Sequence, residues 1–171
     1  FGQLPHHHLA DEPAGERLGF ERKRLIRLLP AGVDIIAELD RGFEQVTLSR
    51  IEPRPNVPIV YAHSKGSSAP RDRTKAGWRR AMESCTFVPG IAEVFDRAPH
   101  VDVIAPHWFT RSLTGVLPEG CTGFSPGNYW WARGRFIADL NRTYPVDVAA
   151  SRYDAETWIG MGRPTVVTTD P

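Results

Sequence analysis

The chain has 171 residues, 41% of them hydrophobic, and sets 21 Lys and Arg against 20 Asp and Glu for a formal charge of +1. That length buries one core without staples and favours a single domain over residues 1–171, while the balanced charge argues against a protein whose main business is coating nucleic acid. No apolar stretch approaches the roughly 20 residues of a bilayer span, residues 1–13 lack signal-peptide order, and Cys85 and Cys121 lie far apart in sequence, so we expect a soluble, cytoplasmic protein with two thiols.

In chain order, residues 1–17 are rich in His, Pro, Gly and charge without an apolar period, and predict a loop or partly ordered arm. His6, His7 and His8 are adjacent, and neighbours in an extended chain point apart, which favours a plain loop over a metal site. Leu25, Ile26, Leu28 and Leu29 fall mostly on one helical face and predict a helix over 21–29, ended by Pro30 and Gly32. The β-branched run 33–37 predicts a buried strand. Residues 43–51 fit either period. A continuous apolar strand is expected over 59–62, stopping at His63-Ser64-Lys65-Gly66. Trp78, Ala81, Met82 and Cys85 predict a helix over 74–87, and Ile91, Val94, Phe95 and Ala98 a second over 90–98 behind Pro89.

Val101 to Ala105 then predicts a strand, 111–126 a loop, 129–132 an aromatic strand, and Phe136, Ile137 and Leu140 one face of a helix. A short helix over 152–161 and a strand over 165–169 complete the chain. This alternation predicts an α/β domain with a mainly parallel sheet and helices on both faces, in which ligands gather at the carboxyl ends of strands. Within that frame, the clustered charges Arg71, Arg73, Lys75, Arg79 and Arg80 read either as a solvated helix face or as a surface near a phosphate-bearing ligand.

Four ordered segments carry more information: YAHSKG at 61–66, Trp-Arg-Arg-Ala-Met at 78–82, GNYWWAR at 127–133 and RYDAETWIG at 152–160. Together they resemble motifs of a group of bacterial and viral glycosyltransferase-like proteins, over residues 43–162. The resemblance implies a single Rossmann-like nucleotide-diphospho-sugar transferase domain of the A-type fold, a nucleotide-sugar donor in the form of a UDP-sugar, and helix at 43–51. The implied reaction moves a sugar from the donor to an acceptor hydroxyl, with inversion expected from the fold's inverting members. Alternatives are a catalytically inactive carbohydrate- or nucleotide-binding module of the same fold, and transfer to a hydroxylated base in DNA. The acceptor would be a saccharide, a protein or that modified base.

Sugar transfer builds negative charge on a departing diphosphate, so the site needs positive charge or oriented donors there. Many enzymes of this fold hold a divalent ion with an Asp-any-Asp motif past a strand, but this chain has His63, Ser64 and Lys65 at that place, and no metal ligands are assigned. Lys65 is expected to supply the charge, Ser64 a hydroxyl donor and Gly66 a close backbone approach, with His63 beside them; the bland alternative is a solvated turn. Arg152 either reaches the diphosphate or pairs with Asp154. A base must take the acceptor proton, and Glu156 is the first candidate with Asp154 second, unless either merely complements the helix dipole. Trp130 and Trp131 are adjacent on a strand and should face opposite sides; an exposed one, beside Asn128, would suit stacking on a sugar whose hydroxyls the amide reads. His107, with Trp108, is placed to line the same cleft or to serve packing. Trp158 is expected in the core.

Overall fold

A computed structural model describes residues 44–62, 73–111, 116–149 and 152–169, and the side chains of Arg152 and Tyr153 are not among those described. The arm predicted over 1–17, the helix over 21–29 and the strand over 33–37 lie outside these residues. In chain order the elements are α1 (Glu44–Leu48), β1 (Ile59–Tyr61), α2 (Arg73–Thr86), a 3-10 turn (Ile91–Glu93), α3 (Val94–Arg97), β2 (Val103–Ala105), β3 (Trp130–Ala132), α4 (Gly134–Thr143), α5 (Arg152–Trp158) and β4 (Val166–Thr168).

The four strands form one sheet in the order β1-β3-β2-β4. β3 runs antiparallel to both β1 and β2, with Tyr61 opposite Trp130 and Ile104 opposite Trp131, and only β2 and β4 pair in parallel. This corrects the expectation of a mainly parallel, Rossmann-like sheet with helices on both faces: the sheet is mixed, two of its three pairings are antiparallel, and the described helices are few. The reason lies between β2 and β3. A parallel return needs a crossover, usually helical, whereas an antiparallel one does not. The described part of that connection holds no helix and instead folds back on itself through a bridge between Phe109 and Phe124.

Period-two alternation along β3 sorts its side chains between two clusters. Trp130 and Ala132 join Tyr61, Val103 and the Phe136, Ile137 and Leu140 face of α4, with Trp158 of α5 in the same cluster. Trp131 joins Ile91, Phe95, Val101 and Ile104. α4 can start where it does because Gly134 has no side chain: a Cβ there would overlap the Arg54 carbonyl oxygen.

Arg133 holds the end of β3 to the α3 segment. Its Nε donates to the Val101 carbonyl at 2.5 Å, its Nη2 to the carbonyls of Ala98 at 2.8 Å and of Phe95, and its guanidinium lies 5.0 Å from the Phe95 ring centroid. A planar fork meets several carbonyls at once, which a lysine ammonium on a flexible stem does not. Arg133→Lys is therefore expected to lower stability by about 1–3 kcal/mol in urea denaturation. An unchanged midpoint would remove this role from the guanidinium.

Candidate functional site

The register brings several chain ends to one edge of the sheet. The carboxyl ends of β1 and β2 lie beside the start of β3, because both strands run against it. In sequence, His63 comes two residues after Tyr61, His107 two after Ala105, and Asn128 two before Trp130.

Asn128 is the centre of this end. It is fully buried and has a φ of 60°, next to Gly127 at 77°. Its Nδ2 donates to Glu44 Oε2 at 2.8 Å and to the Ala155 carbonyl at 3.1 Å, while its Oδ1 accepts from Trp130 Nε1 at 2.6 Å. Asparagine suits the position twice over: it tolerates left-handed backbone better than most residues, and its amide carries donors and an acceptor together. The turn is closed by the Asn128 N–H donating to the Ser125 carbonyl at 2.9 Å, and Ser125 Oγ donates to the Tyr129 carbonyl at 2.6 Å.

Around this hub, α1 contributes the buried Glu44 and β1 contributes Tyr61, which stacks on Trp130 with centroids 5.3 Å apart. Burial first, and then the charge of Glu44, push the Tyr61 phenol well above its ordinary value, against the lowering effect of a hydrogen bond with Thr47. The phenol thus stays protonated throughout the neutral range. The turn after α5 presses on the segment that leads to the hub: a Cβ at Gly160 would overlap the Gly123 carbonyl oxygen. Cys121 Sγ contacts the Gly123 carbonyl at 3.2 Å and the Thr157 carbonyl at 3.4 Å, and burial raises its thiol above the usual value.

The predicted residues distribute unevenly over this frame. Glu156 is half-buried and Asp154 exposed on α5, and between them Ala155 is buried with its carbonyl bound to Asn128. The RYDAETWIG and GNYWWAR segments are therefore in direct contact. His107 is half-buried, with its ring 6.5 Å from that of Phe109. His63, Ser64, Lys65 and Gly66 lie outside the described residues, as does the side chain of Arg152. In the basic cluster Arg73, Lys75 and Arg80 are exposed, whereas Arg79 is mostly buried and lies 3.8 Å from Glu83.

The two tryptophans do face opposite sides, but both sides are covered. Trp130 sits between Tyr61 and Trp158, and Trp131 donates from Nε1 to the Thr86 carbonyl at 2.7 Å. Neither offers an exposed indole, and the Asn128 amide is spent on the hub, so the sugar-contact roles expected for Asn128, Trp130 and Trp131 do not fit their burial. Trp158 is in the core as expected. Two surface clefts, of about 730 Å³ beside Val88, Glu93, Arg97 and Thr169 and about 270 Å³ beside Phe136, Tyr144 and Arg163, include none of the predicted residues in their linings.

Among the described residues no three His, Cys, Asp or Glu side chains converge to hold a metal ion, and no helix is long and apolar enough to cross a membrane.

Comparison with family models, with curated proteins and with solved structures finds no match. Two residues that the sequence reading passed over stand out in the geometry. Glu44 lies in the 43–51 stretch, where the resemblance implies a helix; its contact with Asn128 spans 84 positions, and no local pattern signals it. Phe109 follows His107 by two residues, and its bridge to Phe124 ties it to a residue inside the 111–126 stretch, where a loop is expected.

Proposed function

We propose that this chain transfers a sugar from a nucleotide-sugar donor, a UDP-sugar in the form the resemblance implies, to an acceptor hydroxyl. The observation that carries the reading is the side chain of Asn128: it ties the GNYWWAR segment to the Ala155 carbonyl inside the RYDAETWIG segment, so two of the four resemblance-bearing motifs meet at one sheet end. Glu156 follows Ala155 directly and is half-buried, a setting suited to a base with access to substrate.

In the proposed step the acceptor oxygen attacks the anomeric carbon, the bond from that carbon to the diphosphate oxygen breaks, and the acceptor proton passes to the Glu156 carboxylate. A single base and an in-line attack give inversion. Charge on the departing diphosphate requires a cation, and the sequence offers Lys65 with Ser64, His63 and Gly66, and Arg152. The roles given to these five rest on their place in the sequence.

Release of nucleoside diphosphate from a panel of nucleotide sugars, with saccharide acceptors and with and without EDTA, tests the proposal. Turnover of at least one donor is expected, and the EDTA arm reports whether a divalent ion takes part. Binding without turnover on every donor would select the inactive binding module instead. Salt-dependent association with DNA carrying hydroxylated bases, followed by turnover only on that acceptor, would select the DNA reading. For an active donor, Lys65→Ala is expected to weaken donor affinity and slow turnover together; full turnover with unchanged affinity would remove Lys65 from the site.

A further inference from the structure

We propose that Phe109 is an aromatic platform that stacks on the apolar face of an acceptor pyranose. This rests on the sugar-transfer reading and names the substrate class that the site takes on its acceptor side.

Phe109 is 39% exposed, whereas Phe87, Phe95, Phe124 and Phe136 are each at 9% or less. Among the described side chains no other phenylalanine, tryptophan or tyrosine ring is exposed; the tryptophans and tyrosines are buried or half-buried. The stacking role that Trp130 and Trp131 cannot fill from the core therefore has one aromatic candidate at this sheet end.

The backbone that carries the ring is also held in place. The Phe109 N–H donates to the Phe124 carbonyl at 2.9 Å and the Phe124 N–H returns to the Phe109 carbonyl at 3.0 Å. The two rings meet edge to face at 78° with centroids 5.9 Å apart, so contact with Phe124 covers only part of Phe109. Next to the bridge the chain is closely packed, since a Cβ at Gly123 would overlap Trp108 Nε1 and crowd the Phe109 carbonyl oxygen. A platform fixed in this way loses little freedom when a ligand settles on it.

The neighbourhood favours a pyranose over a nucleobase. A base is read along its edge by hydrogen-bonding groups, and the bridge already engages the N–H and C=O of both Phe109 and Phe124. A β-gluco- or β-galactopyranoside instead presents axial C–H groups to an aromatic face and hydroxyls around its rim. The His107 imidazole, 6.5 Å away and tilted by 36°, is a polar group at that rim.

Saturation-transfer NMR with methyl β-D-glucopyranoside, methyl β-D-galactopyranoside, methyl α-D-mannopyranoside and uridine tests this on the whole chain. Transfer to H1, H3 and H5 of the glucoside or galactoside is expected, falling about fivefold in Phe109→Ala and persisting in Phe109→Trp. Phe109→Leu, which keeps the bulk and the bridge but has no aromatic face, should show the same fall and serves if the alanine variant does not fold. Equal transfer in parent and Phe109→Leu, no transfer to any pyranoside, or transfer to uridine alone overturns the platform. The two readings fail separately. Phe109-dependent glycoside contact in a protein that turns over no nucleotide sugar keeps the platform and ends the transferase; turnover with an acceptor KM unchanged in Phe109→Leu does the reverse.

Discussion

Glu156→Gln is expected to collapse kcat by roughly a hundred- to ten-thousand-fold while donor affinity holds, the usual range for loss of a positioned general base. Glutamine matches glutamate in size but cannot accept the acceptor proton. The hub takes hold of α5 through the backbone carbonyl of Ala155, a contact that the substitution leaves in place. Asp154 is exposed on the same helix, so Asp154→Asn should have the smaller effect. Steady-state kinetics with a thermal-shift titration of the donor separates the two quantities. Near-normal kcat in Glu156→Gln would end its assignment as base, and a collapse in Asp154→Asn alone would pass the role to that residue.

Asn128→Ala is expected to cost about 3–6 kcal/mol, from buried hydrogen-bonding groups deprived of a partner and from an alanine forced into left-handed backbone. That is much of the roughly 5–15 kcal/mol that holds a domain together. The Ala155 carbonyl and the Trp130 indole N–H lose the amide, and Glu44 loses a donor. Asn128→Gly removes the same bonds but relaxes the backbone at φ 60°, so it should be milder by about 1 kcal/mol. Asn128→Asp keeps the shape but sets a second carboxylate against Glu44. Two like charges in a buried site raise the pKa of one of them, so this variant should be weakest at neutral pH and recover as pH falls and one carboxyl takes up a proton. Urea midpoints between pH 4 and 8 measure this, and an aspartate variant that is pH-independent relative to the parent would show that the Glu44 contact contributes little.

The local periods in the sequence were good guides to elements. The apolar run 59–62, the Phe136, Ile137 and Leu140 face and the aromatic pair Trp130-Trp131 all form the kind of element their spacing implies, the first as the strand Ile59–Tyr61. Strand direction was not legible, because it depends on the path between strands. The stretch from β2 to β3 carries no helical period, so the regular alternation of strand and helix breaks there. The tryptophan pair shows a second limit: alternation says that two neighbours face opposite sides, but not whether both sides are covered. Asn128 shows a third. Its motif drew attention to it as a ligand contact, yet three hydrogen bonds to Glu44, Ala155 and Trp130 occupy its side chain, and two of those partners are remote in sequence.

The distances involved also order events in time. Asn128 reaches back 84 positions to Glu44 and forward 27 to Ala155, so the three meet only after two long loops have closed, each at an entropic cost. During synthesis, a nascent chain has Glu44 in hand long before it can use it, and the junction waits until Ala155 has left the ribosome. Trp130, whose indole N–H enters this junction, is a natural fluorophore for timing that last closure.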